Sequence, residues 1–112
     1  MQTAREVAKE EPMHARVSTF RGSPESIEKS RAQAEEIVPV VRGFDGNEGL
    51  IVLGDREGGK ELTITLWDSA ESLSASEEEA NRVRKDAASS VGETIEAVDH
   101  YEVVLFEVPG RP

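Results

Sequence analysis

The sequence contains no cysteine, which excludes disulfides, thiolate metal sites and a cysteine nucleophile. Aromatic residues are scarce: one tryptophan, one tyrosine and three phenylalanines. No run of about 18 apolar residues occurs, so no transmembrane helix is expected. The segment Met1 to Pro12, MQTAREVAKEEP, lacks the apolar stretch of a secretory signal. A cytoplasmic protein is expected. Basic charge is also in short supply, with 13 Lys and Arg against 23 Asp and Glu and a net charge of −10. Such a surface repels phosphate backbones and anionic headgroups, so neither nucleic acid nor membrane is an expected partner. The apolar share is 37%, below the ~45–50% of globular chains. A core this thin, in 112 residues, gains from burial against a second chain.

What is present reads as alternating strands and helices. Residues 1–12 are charged and end at Pro12, and are expected to be a flexible arm. Met13 to Arg21 (MHARVSTFR) has the β-branched residues and rough two-residue period of a strand. Ser23-Pro24-Glu25 follows as an N-cap, a first-turn proline and a first-turn acid. Ile27, Ala34, Ile37, Val38 and Val41 keep a helical period, and Pro39 predicts an end or kink near Val38. Gly49 to Glu57 holds a second strand, Gly58-Gly59 a hairpin turn, and Lys60 to Trp67 (KELTITLW) a third strand. Asp68 to Glu71 opens a second helix, with Leu73, Ser76, Ala80, Val83, Ala87 and Val91 on one stripe and Gly92 as C-cap. Val98 to Val108 is the longest strand signal, and residues 109–112 are a tail.

The order β-α-β-β-α-β predicts an α+β, ferredoxin-like domain over 13–108, with an antiparallel sheet and helices on one face. Leu62, Ile64 and Leu66 lie on one face of the third strand and Thr63, Thr65 and Trp67 on the other. The second and last strands are apolar on both faces too. Two helices cover one face only, so the pattern predicts a homodimer whose second sheet covers the other.

The run Thr63-Ile64-Thr65-Leu66-Trp67-Asp68-Ser69-Ala70-Glu71-Ser72-Leu73 and the late strand Val98-Asp99-His100-Tyr101-Glu102-Val103, in this order of elements, resemble the antibiotic biosynthesis monooxygenase-like domains. The resemblance covers about residues 13–108. It implies a dimeric α+β barrel with a pocket between sheet and helices. In some members that pocket oxidises polycyclic phenols with O₂ and no cofactor; others degrade haem, and many have no known activity. Trp67 matches the tryptophan of the active members. Thr63 and Leu73 stand where the phenol-oxidising members have asparagine and tyrosine. Glu77 stands where the haem-degrading members have histidine, so haem degradation is not expected.

The function expected is that of a cofactor-independent monooxygenase-like protein acting on a small phenol- or quinol-type molecule. The alternative is a non-catalytic dimer that holds a small hydrophobic ligand. Trp67, Thr63, Thr65 and Leu73 are the candidate substrate-binding residues. Trp67 either stacks on a flat ligand or closes the gap between sheet and helix as a core residue. His100 is the candidate base at neutral pH, against an ordinary hydrogen-bonded role, and it points to the opposite face from Tyr101. Arg16 could bind an anionic group, although an ion pair with one of the many acids is the simpler fate. Arg84 could reach the pocket from the second helix. His14 and His100 have no metal-ligand spacing, and neither metal nor cofactor is expected.

Overall fold

The computed structural model describes residues 11–109. Within them lie β1 (His14–Arg21), α1 (Pro24–Arg42), β2 (Asn47–Asp55), β3 (Lys60–Trp67), α2 (Ala70–Ala75), α3 (Glu77–Val91) and β4 (Thr94–Glu102). The four strands form one antiparallel sheet in the order β2-β3-β1-β4, the ferredoxin-like α+β arrangement predicted. Of the arm and tail expected at the two ends, only Glu11, Pro12 and Pro109 fall within the described residues.

Helix α1 starts as its sequence dictates. Ser23 Oγ accepts from Ser26 N at 3.1 Å, and Ser26 Oγ accepts from Ser23 N at 2.8 Å. Pro39 does not end it: the helix runs on to Arg42, and Gly43 N donates back to the Pro39 carbonyl at 3.1 Å. Glu35 and Pro39 are both exposed, so the carbonyl that loses its proline-blocked donor faces water at little cost. The extra turn buries Val41.

The second helix is broken in two, and the cause is a buried arginine. In one unbroken helix the Leu73 carbonyl would accept from Glu77 N. Instead it accepts from Arg16 NH2 at 2.9 Å and from Ser76 Oγ at 2.8 Å. The N-cap of α2 is Ser69, one residue later than the sequence suggested, with Ser72 N donating to Ser69 Oγ at 3.1 Å. Helix α3 ends at Gly92, in the left-handed region at φ 77°.

Two boundaries differ from the sequence reading for reasons of pairing. The β2–β3 connection spans residues 56–59 rather than two glycines, because Asp55 pairs with Lys60. Strand β4 starts earlier, with Thr94 opposite Arg21, and stops at Glu102 opposite His14. Beyond that only Val103 N reaches β1's end, at Met13 O (2.8 Å). The apolar run Val104–Val108 thus has no neighbouring strand among the described residues, whatever its alternation.

The sheet has two unlike faces. Arg16, Ser18 and Phe20 of β1 register with Thr65, Thr63 and Glu61 of β3 and face the helices. Ala15, Val17, Leu62, Ile64 and Leu66 face the other way, as do Ile51 and Leu53, which are 41% and 46% exposed. No helix among the described residues is long and apolar enough to cross a membrane.

Candidate functional site

Between the sheet and helices α1 and α3 lies a cavity of about 100 Å³. Its floor is the alternate residues of β1 and β3, namely Arg16, Ser18, Phe20, Glu61, Thr63, Thr65 and Trp67. Its roof comes from Gln33, Ala34 and Ile37 of α1 and from Val83, Arg84 and Ala87 of α3. The period of two on the strands and of three to four on the helices puts these side chains on facing surfaces.

Trp67 closes one end. It is wholly buried, its Nε1 donates to Thr65 Oγ1 at 2.9 Å, and its ring lies 5.9 Å from that of Phe44. Asn47, opposite Trp67 in the register, donates from Nδ2 to the Leu66 carbonyl at 3.1 Å and pins the start of β2 beside it. The Arg16 guanidinium sits 5.4 Å from the Trp67 ring centre, in cation–π range. Arg16 is only 2% exposed. Its NH2 donates to the Leu73 carbonyl, to Ser76 Oγ at 3.0 Å and to Glu77 Oε1 at 2.8 Å, while its Nε has no partner. Arg84 reaches the same end from α3 and contacts Asn81 Oδ1. Burial, and then the charge of Arg16, lowers the Arg84 pKa.

The other end is acidic. Glu61 is 3% exposed and accepts from Ser30 Oγ at 2.7 Å. Glu93, the first residue after the Gly92 cap, lines the cavity with it. Burial raises the Glu93 carboxyl to about 8, helped by the hydrogen bond and charge of Glu61 and opposed by the Ser26 hydroxyl. Its Oε2 is buried with no hydrogen-bond partner. At neutral pH Glu93 therefore keeps its proton for most of the time. Gly22 makes room for the arrangement, since a Cβ there would stand 2.2 Å from Ser26 Oγ and 2.8 Å from Glu93 Cγ.

The residues singled out from sequence are distributed unevenly. Trp67, Thr63 and Thr65 line the cavity together. Leu73 is buried but lies outside the lining, and serves the site through the carbonyl that holds Arg16. His100 is exposed, 3.4 Å from Glu77 Oε1, and also lies outside the lining. His14 Nδ1 is 3.2 Å from the Pro12 carbonyl. Arg16 has both the ion pair and the pocket position considered for it. The sequence reading missed Glu61 and Glu93. Glu61 had a signal, because it keeps step with Thr63, Thr65 and Trp67 on the inward face; Glu93 had none.

Solved structures with the same fold include a candidate antibiotic biosynthesis monooxygenase from Bordetella bronchiseptica, with TM-score 0.65 and 15% identity over 85% of this chain and 100% of that one. They also include a variant of SnoaB, a cofactor-independent oxygenase from Streptomyces nogalater, with TM-score 0.61 and 13% identity over 85% of this chain and 96% of that one. The chain has the fold of the antibiotic biosynthesis monooxygenase-like proteins. No family model matches the sequence. Among curated proteins, uncharacterized protein Rv2557 of Mycobacterium tuberculosis is 32% identical over 95 residues, 84% of this chain. A second, Rv2558 of the same organism, is 30% identical over 77 residues. The chain spans 42% and 33% of the lengths of these two relatives.

Proposed function

We propose that the cavity binds a small, electron-rich phenol and that the protein oxygenates it with O₂ and no resident cofactor. The observation that carries this reading is the Glu61–Glu93 carboxyl pair inside the same cavity as Trp67, Thr63 and Thr65. A general base works best with a pKa near the working pH, and a phenol titrates near 10. A carboxyl held near 8 is therefore far better matched to a phenol than an ordinary glutamate. The ionised fraction of Glu93, which grows as the pH rises toward 8, takes the phenolic proton. The phenolate then gives an electron to O₂, a ring C–O bond forms, the O–O bond breaks, and phenol plus O₂ becomes quinone plus water. The chain supplies orientation, desolvation and the proton acceptor.

Volume sets the substrate size. An apolar cavity of about 150 Å³ takes one benzene ring, so about 100 Å³ suits a single ring after a small side-chain adjustment and not a polycycle. The exposed apolar residues Ile51 and Leu53 on the open sheet face, with Leu105 and Phe106 after β4, support a homodimer as the working form. A second reading, a non-catalytic binding protein with the same cavity, draws on Trp67, whose N–H is already satisfied by Thr65.

Oxygen uptake with a panel of single-ring phenols and hydroquinones tests the choice, comparing the parent with Glu93→Gln, Trp67→Ala and His100→Ala. The oxygenase reading expects turnover that falls at least tenfold in Glu93→Gln and survives in His100→Ala, a scale typical of general-base loss. Saturable binding without any uptake would leave the binding protein. Turnover indifferent to Glu93→Gln would remove the carboxyl pair from the chemistry.

A further inference from the structure

We propose that the ligand of this cavity is a phenolic carboxylic acid, whose carboxylate docks between Arg16 and Arg84 while its hydroxyl meets the Glu61–Glu93 pair. This rests on the phenol-binding reading and extends it to a substrate class. The argument begins with charge. Arg16 is 2% exposed and Arg84 9%, and both line the cavity. Arginine stays protonated in proteins, so two positive charges are buried at one end. Glu77 compensates one of them, at 2.8 Å from Arg16. Among the described residues, no carboxylate forms an ion pair with Arg84, whose polar contact is the neutral Asn81.

Hydrogen-bonding capacity points the same way. Buried donors are almost always paired, yet Arg16 Nε has no partner. An arginine side chain buried this completely, with an idle N–H, leaves a donor for an incoming acceptor. A carboxylate fits best, because guanidinium donors in a fixed fork match its two oxygens. Such an anion would also offset the burial and the Arg16 charge that together lower the pKa of Arg84, against which Glu77 already acts. Trp67, with Arg16 against its ring, would border the aromatic part.

The spacing of the two poles fixes the ligand's length. Arg16 registers with Thr65, and Phe20 with Glu61. The basic and acidic positions are thus four residues apart on β3, about 13 Å along the strand. The side chains at the two positions take up part of that span, and one ring is the length proposed for the rest. A ring with a carboxylate at one end and a hydroxyl at the other complements both poles at once. A plain phenol leaves the arginines unmet.

The test compares 4-hydroxybenzoate with 4-hydroxybenzamide, of nearly equal size and shape but different charge. Calorimetry gives the affinities. The single tryptophan gives one indole N–H resonance, at the cavity wall. The acid is expected to bind at least about tenfold more tightly than the amide, the scale of one charge-assisted hydrogen bond over a neutral one, and to shift the indole signal. In Arg84→Gln the two affinities should become equal, and Arg84→Lys should restore part of the preference. Circular dichroism and an unchanged indole shift without ligand confirm that the variants fold. Equal affinities in the parent, a preference untouched by Arg84→Gln, or no indole shift with either probe at millimolar concentration would overturn the proposal. Selective binding of the acid without oxygen uptake would instead refute the oxygenase reading and leave the anion site standing.

Discussion

Replacing Glu93 by glutamine should make the protein more stable in mild base and leave it unchanged in mild acid. The Glu93 carboxyl is raised from an ordinary 4.5 to about 8 by burial and by Glu61. Between those two pH values the folded chain holds a proton that the unfolded chain has released. The stability associated with that proton is complete below about pH 4.5 and drains away as the pH rises through about 8. At about 1.36 kcal/mol per pH unit the full displacement is worth about 5 kcal/mol. Glu93 is only partly buried, and water in reach of the carboxylate weakens the penalty, so about 2 kcal/mol is expected. Glutamine keeps the shape, presents an N–H to Glu61 where the carboxyl proton was, and does not titrate. Urea unfolding followed by circular dichroism, at one protein concentration and at intervals from pH 5 to 9, measures the difference. The two chains should coincide near pH 5, and the variant should lead by about 2 kcal/mol at pH 9. Because the other acids are common to both chains, the difference isolates Glu93. Parallel pH dependences would refute the reasoning, as would a parent that stays the more stable at pH 9.

Trp67→Ala, which removes a wholly buried large side chain, should cost about 3–5 kcal/mol in chemical unfolding, and a cost under 1 kcal/mol would show that the wall collapses freely. Gly22→Ala should cost about 1–3 kcal/mol and shift the pH dependence set by Glu93, since the new methyl meets Ser26 Oγ and Glu93 Cγ. Leu53→Lys, on the open sheet face and 46% exposed, should halve the mass seen by light scattering while leaving the far-ultraviolet spectrum intact. A mass unchanged by that substitution would show that the open sheet face is not a dimer contact.

The architecture was legible because local rules and pairing agree over most of the chain. The capping serines, the strict alternation of KELTITLW and the Gly92 cap each specify one backbone conformation, and nothing in the fold opposes them. The errors arise where a distant residue decides. The stripe from Leu73 to Val91 is a faultless helical pattern, yet Arg16, 57 positions before the Leu73 carbonyl, takes the acceptor that would have carried the helix through. The run after Glu102 alternates as a strand should, yet β1 has no residues left to pair with it. Propensity describes what a segment prefers, and partners outside the segment decide whether it is granted.

The site was half legible for the same reason. Trp67, Thr63 and Thr65 share a strand face, so their proximity follows from period alone. Arg16 and Arg84, or Glu61 and Glu93, meet only through the sheet register and the packing of the helices on the sheet. Glu93 lies 32 positions after Glu61 in a chain with 23 acidic residues, most of them on solvated faces. Nothing in its spacing sets it apart. What does is burial, because a carboxylate in water has no reason to hold a proton and one packed against Glu61 under Gly22 does. The histidine was the obvious base by residue type, yet the fold leaves His100 in solvent beside Glu77. The proposed proton acceptor is made by environment out of a residue whose ordinary chemistry would disqualify it, and so it is invisible until the environment is known.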